Sequence, residues 1–459
     1  MAASRLWEYT KQRKDLFALP DEDFLRLIHA DFQKELVHLQ RAYTVERRGS
    51  AQPGAGSLGT TSPSRILYGK DYDEVNRTLV GALCMKWIFD NRYDTFVANQ
   101  AESLRLSRES FAWMHNFYEE SIRTPTELYA LITSVVVNDV GKDDELSRRY
   151  MEKTGEDISA LNHDMILLKA VRADLLTCFE RLPPEDLDNI IRNIELAAEF
   201  NLAQLAQAEN APASLGSLLK MRGHSQSFKL RFMEQILDVA GAAGHLNWNG
   251  AQRLTQSNFD ALKTGFEAGM DIISGGRTPR QGYDSVLERR LNLLREKGFR
   301  SLQLSKPEDR ALARILCMGS VADQATADVY DQAWTTLEET ARKSLAKHLN
   351  IDGSTKEPAV QVTYVPAMIT QVVNTGGPVR SEKTGLVDKA IAEKKVKALQ
   401  SGLRYLNKVL SAPERPEGQV TVIERNVRAT VMNVVQSPQF QTDPTILEQA
   451  PIPRSQVAM

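Results

Sequence analysis

Apolar residues recur at three- and four-residue steps through most of the chain before residue 350, so that stretch is expected to be almost entirely helical. Residues 5–48 read as mostly helix, with Asp21-Glu22-Asp23 opening a stretch that carries Phe24, Leu27, Ile28, Phe32, Leu36 and Leu39. A second helical block, at about 71–122, holds Val80, Leu83, Met85, Trp87 and Ile88, then Phe111, Trp113, Met114 and Phe117. The apolar run Leu128 to Val137 gives the next helix. Pro183-Pro184-Glu185-Asp186 puts proline in a first helical turn, and Ile190, Ile191, Ile194, Ala197, Leu202 and Leu205 follow on one face. Lys306-Pro307-Glu308-Asp309 starts a further helix, and Ala311 to Leu349 reads as one long helix or two short ones.

After about residue 350 the period changes from that of a helix to that of a strand. Val360 to Val365 and Gln419 to Ile423 alternate apolar and polar residues with β-branched enrichment, which predicts two short strands. Leu386 to Leu410, between them, is helical. The expected fold is mainly α, a multi-helix bundle with a small α+β appendage at the C-terminal end. The segments expected are an N-terminal helical segment at 1–48 and a flexible linker at 49–64, rich in Gly, Ser, Thr and Pro. A main helical domain at 65–349, an α+β appendage at 350–434 and a proline-punctuated, extended or disordered tail at 435–459 complete the set.

Charge and cysteine content narrow the function classes. Lys plus Arg is 57 and Asp plus Glu is 59, a net charge of −2 that exerts no global pull toward nucleic acid or anionic membrane. Cys84, Cys178 and Cys317 are scattered, giving neither a disulfide framework nor a CxxC zinc site, as expected of a reducing, cytoplasmic home. Met1 to Leu16 carries charges and no apolar h-region, and no run of 18 apolar residues is present, so neither a secretory signal nor a membrane span is expected.

The densest chemistry lies where the apolar run ends, at Asn138-Asp139-Val140-Gly141-Lys142. Three other stretches carry residue types that can converge with it: His115 among aromatics, Asn162-His163-Asp164, and Asp238 through His245. The stretch at Asn138 resembles, over roughly residues 110–250, the apolar helix, His-Asp doublet and Gly-Lys of the HD-superfamily metal-dependent phosphohydrolases. Asn138 stands where that family has a metal-binding His. The resemblance implies a divalent metal (Mg, Mn, Zn or Fe) held by His115, Asp139, Asp164 and Asp238, with bound water activated for attack. It further implies that Lys142 grips an anionic small-molecule substrate, with His163 and His245 completing the catalytic set.

Each of these residues also has a plain structural reading. Asp139 to Asp144 fits a helix C-terminus, a glycine turn and the acidic first turn of the next helix. His163-Asp164 fits a helix start capped by Asn162, and His115 fits a satisfied core histidine. Asn193 to Asn210 reads as a helix whose amides and carboxylates line a polar pocket or face solvent. Gly241 to Gly250 reads as a loop or helix end whose small residues admit a ligand or a neighbouring helix. Three function classes follow. The first is a metal-assisted hydrolase of a phosphorylated or other anionic small molecule. The second is a non-catalytic helical binding or scaffold protein. The third is a metal-free transferase of specialised metabolism, which would need a basic stripe and salt-dependent affinity to be assigned a tRNA partner.

Overall fold

Several helices begin where the sequence supplies a cap. Thr124 and Glu127 form a reciprocal capping box with Pro125 in the first turn, and Thr278, Gln281 and Pro279 repeat the device. The computed structural model of the chain describes residues 4–42, 60–374, 377, 379, 388–413 and 419–457. Within them the protein is mainly α with a small α+β portion. The three cysteines are buried and free, and no described helix is long and apolar enough to cross a membrane. The chain divides into two compact units, Met1–Ala198 with Gly223–Lys263, and Glu199–Arg222 with Thr264–Met459. Residues 264–349 thus fall with the C-terminal strands and not with the helices before them.

The first unit is organised around the Asp73–Phe89 helix, which is buried around nearly its whole circumference. A helix apolar on all sides is a central helix, and this one packs on the Ser225–Gly241, Pro125–Val137, Arg108–Ser121 and Gln33–Arg41 helices. The crossing with Ser225–Gly241 is tight because glycine stands at it. A Cβ on Gly241 would lie 2.3 Å from the Arg77 carbonyl oxygen, one on Gly244 2.7 Å from that of Asn76, and one on Gly81 3.0 Å from that of Leu237. The small residues of 241–244 therefore serve a neighbouring helix, one of the two roles expected for them.

The Pro125–Val137 helix ends at Asn138, and a single 3-10 turn, Val140–Lys142, leads to Asp143. Asp143 caps the Asp144–Thr154 helix through the Glu145 N–H and is buried against His38 (2.7 Å) and Arg41 (2.9 Å). Gly141 sits directly under the His163 carbonyl, and a Cβ at this position would come within 1.9 Å of that oxygen. Asn162 accepts from the Met165 N–H and starts the His163–Arg172 helix. The plain structural reading of both motifs is thus correct, and it is what brings them together.

In the second unit a three-stranded sheet is built from β1 (Ala359–Thr363), β2 (Val422–Asn426) and β3 (Ser455–Val457). β1 and β2 run parallel with Ala359 opposite Val422, and β3 adds antiparallel to β2. A core of Leu312, Leu316, Tyr330, Leu399, Leu406, Phe440 and Leu447 fills the space among its helices. Arg314 is buried and donates to the carbonyls of Ala208, Glu209, Asn210 and Leu349, which holds the 199–222 segment in this unit.

Four expectations change. The 435–459 stretch is ordered through Val457: Pro438–Thr442 and Pro444–Gln449 are helical, and Phe440 and Leu447 are fully buried, so its prolines start turns of helix. Ala311 to Leu349 contains three helices, because Gly319 lies against the Tyr330 ring and Ser320 takes a positive φ of 50°. The amide-rich helix of 193–210 breaks after Glu199, and Asn201 caps the short helix Leu202–Ala206. The end of the expected linker is bound, since Thr60 accepts from Trp248 and Asn249 and Pro63 starts a helix, whereas residues 49–59 lie outside the described ones.

Gly141→Ala is expected to lower the stability of the first unit by about 1–3 kcal/mol in urea unfolding, the usual range for overpacking. Gly81→Ala should cost less, because its nearest obstacle is farther away. Equal stability of the Gly141→Ala protein and the wild type would show that the His163 contact imposes no constraint.

Candidate active site

A small cavity of about 20 Å³ lies inside the first unit, room for about one water-sized group. It is lined by Arg77, Thr78 and Gly81, by Val135, Asn138 and Asp139, and by Glu234, Leu237 and Asp238. Each trio comes from one element. Arg77, Thr78 and Gly81 share a face of the central helix, and Glu234, Leu237 and Asp238 share a face of Ser225–Gly241. The third trio is the end of Pro125–Val137. The glycine crossing described above holds the first two faces at this separation.

Lys142 is the electrostatic centre. Its ammonium is 2.8 Å from Asp139 Oδ2 and 3.2 Å from Glu74 Oε2, and Glu74 also accepts from Arg77 at 3.0 Å. His163 Nε2 stands 3.8 Å from Asp139 and 3.8 Å from Asp164, at the more exposed edge. Glu234 is held by Arg231 at 2.7 Å and by the Asn193 amide, and Asp238 accepts from Gln235 at 3.1 Å.

These contacts spread the acidities of the carboxyl groups. Burial alone would push Asp139 up, but Lys142, His163 and Arg77 outweigh it and hold the carboxyl well below the usual range. Burial lowers the affinity of Lys142 for its proton, and Asp139 and Glu74 more than restore it, so the ammonium is held above its ordinary value. Asp238 is pushed up by burial and then by the Asp139 charge. Glu234 is raised to about 7, chiefly by burial, against the pull of Arg231 and Asn193.

Of the residues expected from the sequence, Asp139 and Asp238 line the cavity, with Lys142 and His163 beside Asp139. Asp164 adjoins His163. His115 is elsewhere: its Nδ1 meets the Ile88 carbonyl at 2.8 Å. Ile88 is eleven residues beyond Arg77 on the same helix, about 17 Å along its axis at 1.5 Å per residue. His245 follows the Ser225–Gly241 helix and does not line the cavity. The expected ligand quartet of His115, Asp139, Asp164 and Asp238 is therefore not gathered. Among the described residues no group of three or more His, Cys, Asp or Glu is placed to hold a metal ion. The Lys142 ammonium takes one of the two Asp139 oxygens, Oδ2.

Sequence reasoning missed Glu74, Arg77, Thr78, Arg231 and Glu234. Their signal was present as polar stripes on otherwise apolar helices. Glu74, Arg77 and Thr78 fall at i, i+3 and i+4, and Arg231, Glu234, Gln235 and Asp238 at i, i+3, i+4 and i+7. The chain belongs to a family of unknown function (DUF6829), whose model matches residues 25–447. That match takes in every residue of the cavity. No curated protein and no solved structure matches the chain.

Two stability measurements probe this charge network. The folded-state acidity of Glu234, about 7, lies above its ordinary value of 4.5. A group raised in this way contributes its stability at low pH and loses it as pH climbs from about 4.5 through 7. Glu234→Gln should remove that loss, on the order of 3 kcal/mol between pH 4.5 and 8, seen as a flatter stability-versus-pH curve. An unchanged slope would mean that Glu234 keeps an ordinary acidity. Lys142→Met should destabilise the first unit by about 3–5 kcal/mol by removing the close cation from buried Asp139. The double variant Lys142→Met with Asp139→Asn should recover part of the loss, and failure to recover would show that the two side chains do not act as a pair.

Proposed function

We propose that this cavity is the active site of a small-molecule enzyme working by proton transfer between carboxyl groups, with Lys142 supplying the positive charge that the HD-like resemblance assigns to a metal. The observation that carries it is the divergence of acidities in one small enclosure: Asp139 is held ionised while Glu234 sits near neutrality. Titratable groups pushed apart in this way are the usual assignment of acid–base roles. Glu234 is the proton-transfer group, because its acidity matches neutral pH. Asp139, clamped by Lys142 and edged by His163, is a fixed anion that orients substrate and stabilises developing positive charge. Arg77 and Thr78 bound the same space from the central helix.

A hydrolase is the member of this class that Asn138-Asp139 and the following Gly-Lys suggest. The anionic substrate first expected from Lys142 fits less well, because that ammonium is already shared between Asp139 and Glu74. A non-catalytic binding role is the second reading, and the full pairing of Lys142 favours it. Incubation with a pool of small polar metabolites, followed by mass spectrometry, separates the two. Turnover is expected that persists in EDTA and falls at least 100-fold in Glu234→Gln, the scale of a lost general acid or base. Ligand retention without turnover supports the binding role, and loss of turnover in EDTA contradicts the metal-free reading.

A further inference from the structure

The cavity walls carry three polar groups that the fold leaves with spare hydrogen-bonding capacity. Asp238 accepts only from the neutral Gln235 amide, and no cationic side chain among the described residues stands within ion-pair distance of it. Asp139 and Glu234, by contrast, each have a cation at 2.7–2.8 Å. Thr78 is 8% exposed and lines the cavity, yet its hydroxyl makes no hydrogen bond among the described residues. Asn138 lines it as well, and its side-chain amide is likewise unpartnered among them. A hydroxyl that faces a cavity without a protein partner is open to a hydrogen bond from a ligand.

The three groups share one property, in that each presents an oxygen that can accept. A carboxylate, a hydroxyl and an amide oxygen around a space for one water-sized group match the three N–H donors of a primary ammonium. The charge points the same way. Three carboxyl groups and one guanidinium line the wall, and the nearby cations Lys142 and Arg231 are taken by Asp139, Glu74 and Glu234. A phosphate would meet three carboxyl groups here, and the lining cation Arg77 is paired with Glu74. Asn138 gains a purpose in this arrangement, because an amide oxygen accepts from an ammonium where a protonated imidazole would repel it.

We propose that the cavity binds the protonated primary amine of a small ligand, its N–H groups directed to Asp238, the Thr78 hydroxyl and the Asn138 amide oxygen. This rests on the cavity being the active site, and it names the class of molecule that enters it. The amine is the anchoring group, and the remainder of the ligand extends toward the more exposed His163 edge.

The test uses the full chain and thermal-shift measurements at constant ionic strength with methylammonium, tetramethylammonium and inorganic phosphate. Methylammonium is expected to raise the melting temperature in a saturable way, whereas tetramethylammonium, which has no N–H donor, should not. Thr78→Val keeps the shape of the side chain and removes only the hydroxyl, and it should weaken methylammonium binding about tenfold. Asp238→Asn should abolish it. Equal effects of methylammonium and tetramethylammonium would overturn the inference, as would stabilisation by phosphate alone. If Asp238→Asn fails to fold, Thr78→Val alone decides, and unchanged methylammonium binding in that variant overturns the proposal. Glu234-dependent turnover of substrates lacking an amine would sink the amine assignment and spare the proton-transfer reading. Saturable methylammonium binding without any turnover would do the reverse.

Discussion

Lys142 is surrounded by more negative charge than it can neutralise, and the rest of the site follows from that imbalance. Among the described residues Glu74, Asp139, Asp164, Glu234 and Asp238 stand against Arg77, Lys142 and Arg231. Charges taken out of water repay their desolvation only with close partners and completed hydrogen bonds. Asp139 has such partners and stays ionised. Asp238 has no cation at ion-pair distance, so burial and the Asp139 charge raise its affinity for a proton against the pull of Arg77, Lys142 and Arg231. The surplus is thus a property of the whole enclosure, and a ligand that brings one positive charge relieves it. The glycines make the enclosure possible. Gly81 and Gly241 set two helices close enough to share a wall, and Gly141 admits the His163 carbonyl where a methyl group would collide.

Much of this was legible in the chain. The helical character before residue 350, the presence of two short strands and the starts at Pro184 and Pro307 all follow from period and proline placement. The pairing of Asp139 with Lys142 was not drawn from the chain, which gave Lys142 to substrate and Asp139 to a metal, although the two stand at i, i+3 across one tight turn. His163 reaching Asp139 was foreseeable only as a possibility, since it depends on a backbone contact at Gly141 that no periodicity encodes. The central helix was harder. Its apolar residues advertise burial, and the few polar ones among them, Glu74, Arg77 and Thr78, look incidental until the neighbouring helix supplies Glu234 and Asp238. His115 misled for the opposite reason: a histidine among aromatics is satisfied by a nearby carbonyl more readily than by a distant carboxylate.

The resemblance to HD phosphohydrolases now has a narrower content. The end of an apolar helix does deliver an aspartate to a polar cavity, and a lysine one turn later does meet a negative group. Among the described residues His163 stands beside that aspartate, whereas His115 meets the Ile88 carbonyl. Asn138 in place of His is consistent with a site that handles charge through side chains of its own. In the second unit buried arginines hold segments together, Arg314 through backbone carbonyls and Arg310 through Asp284 and Asn350.

The most direct test of the account is a carbon-13 NMR titration of the carboxyl groups of the intact protein, assigned with Glu234→Gln and Asp139→Asn. The account predicts one carboxyl titrating near pH 7, absent from the Glu234→Gln spectrum, and an Asp139 resonance that stays ionised through the acid range until the fold is lost. Titration of both groups in the ordinary range near pH 4 would contradict it.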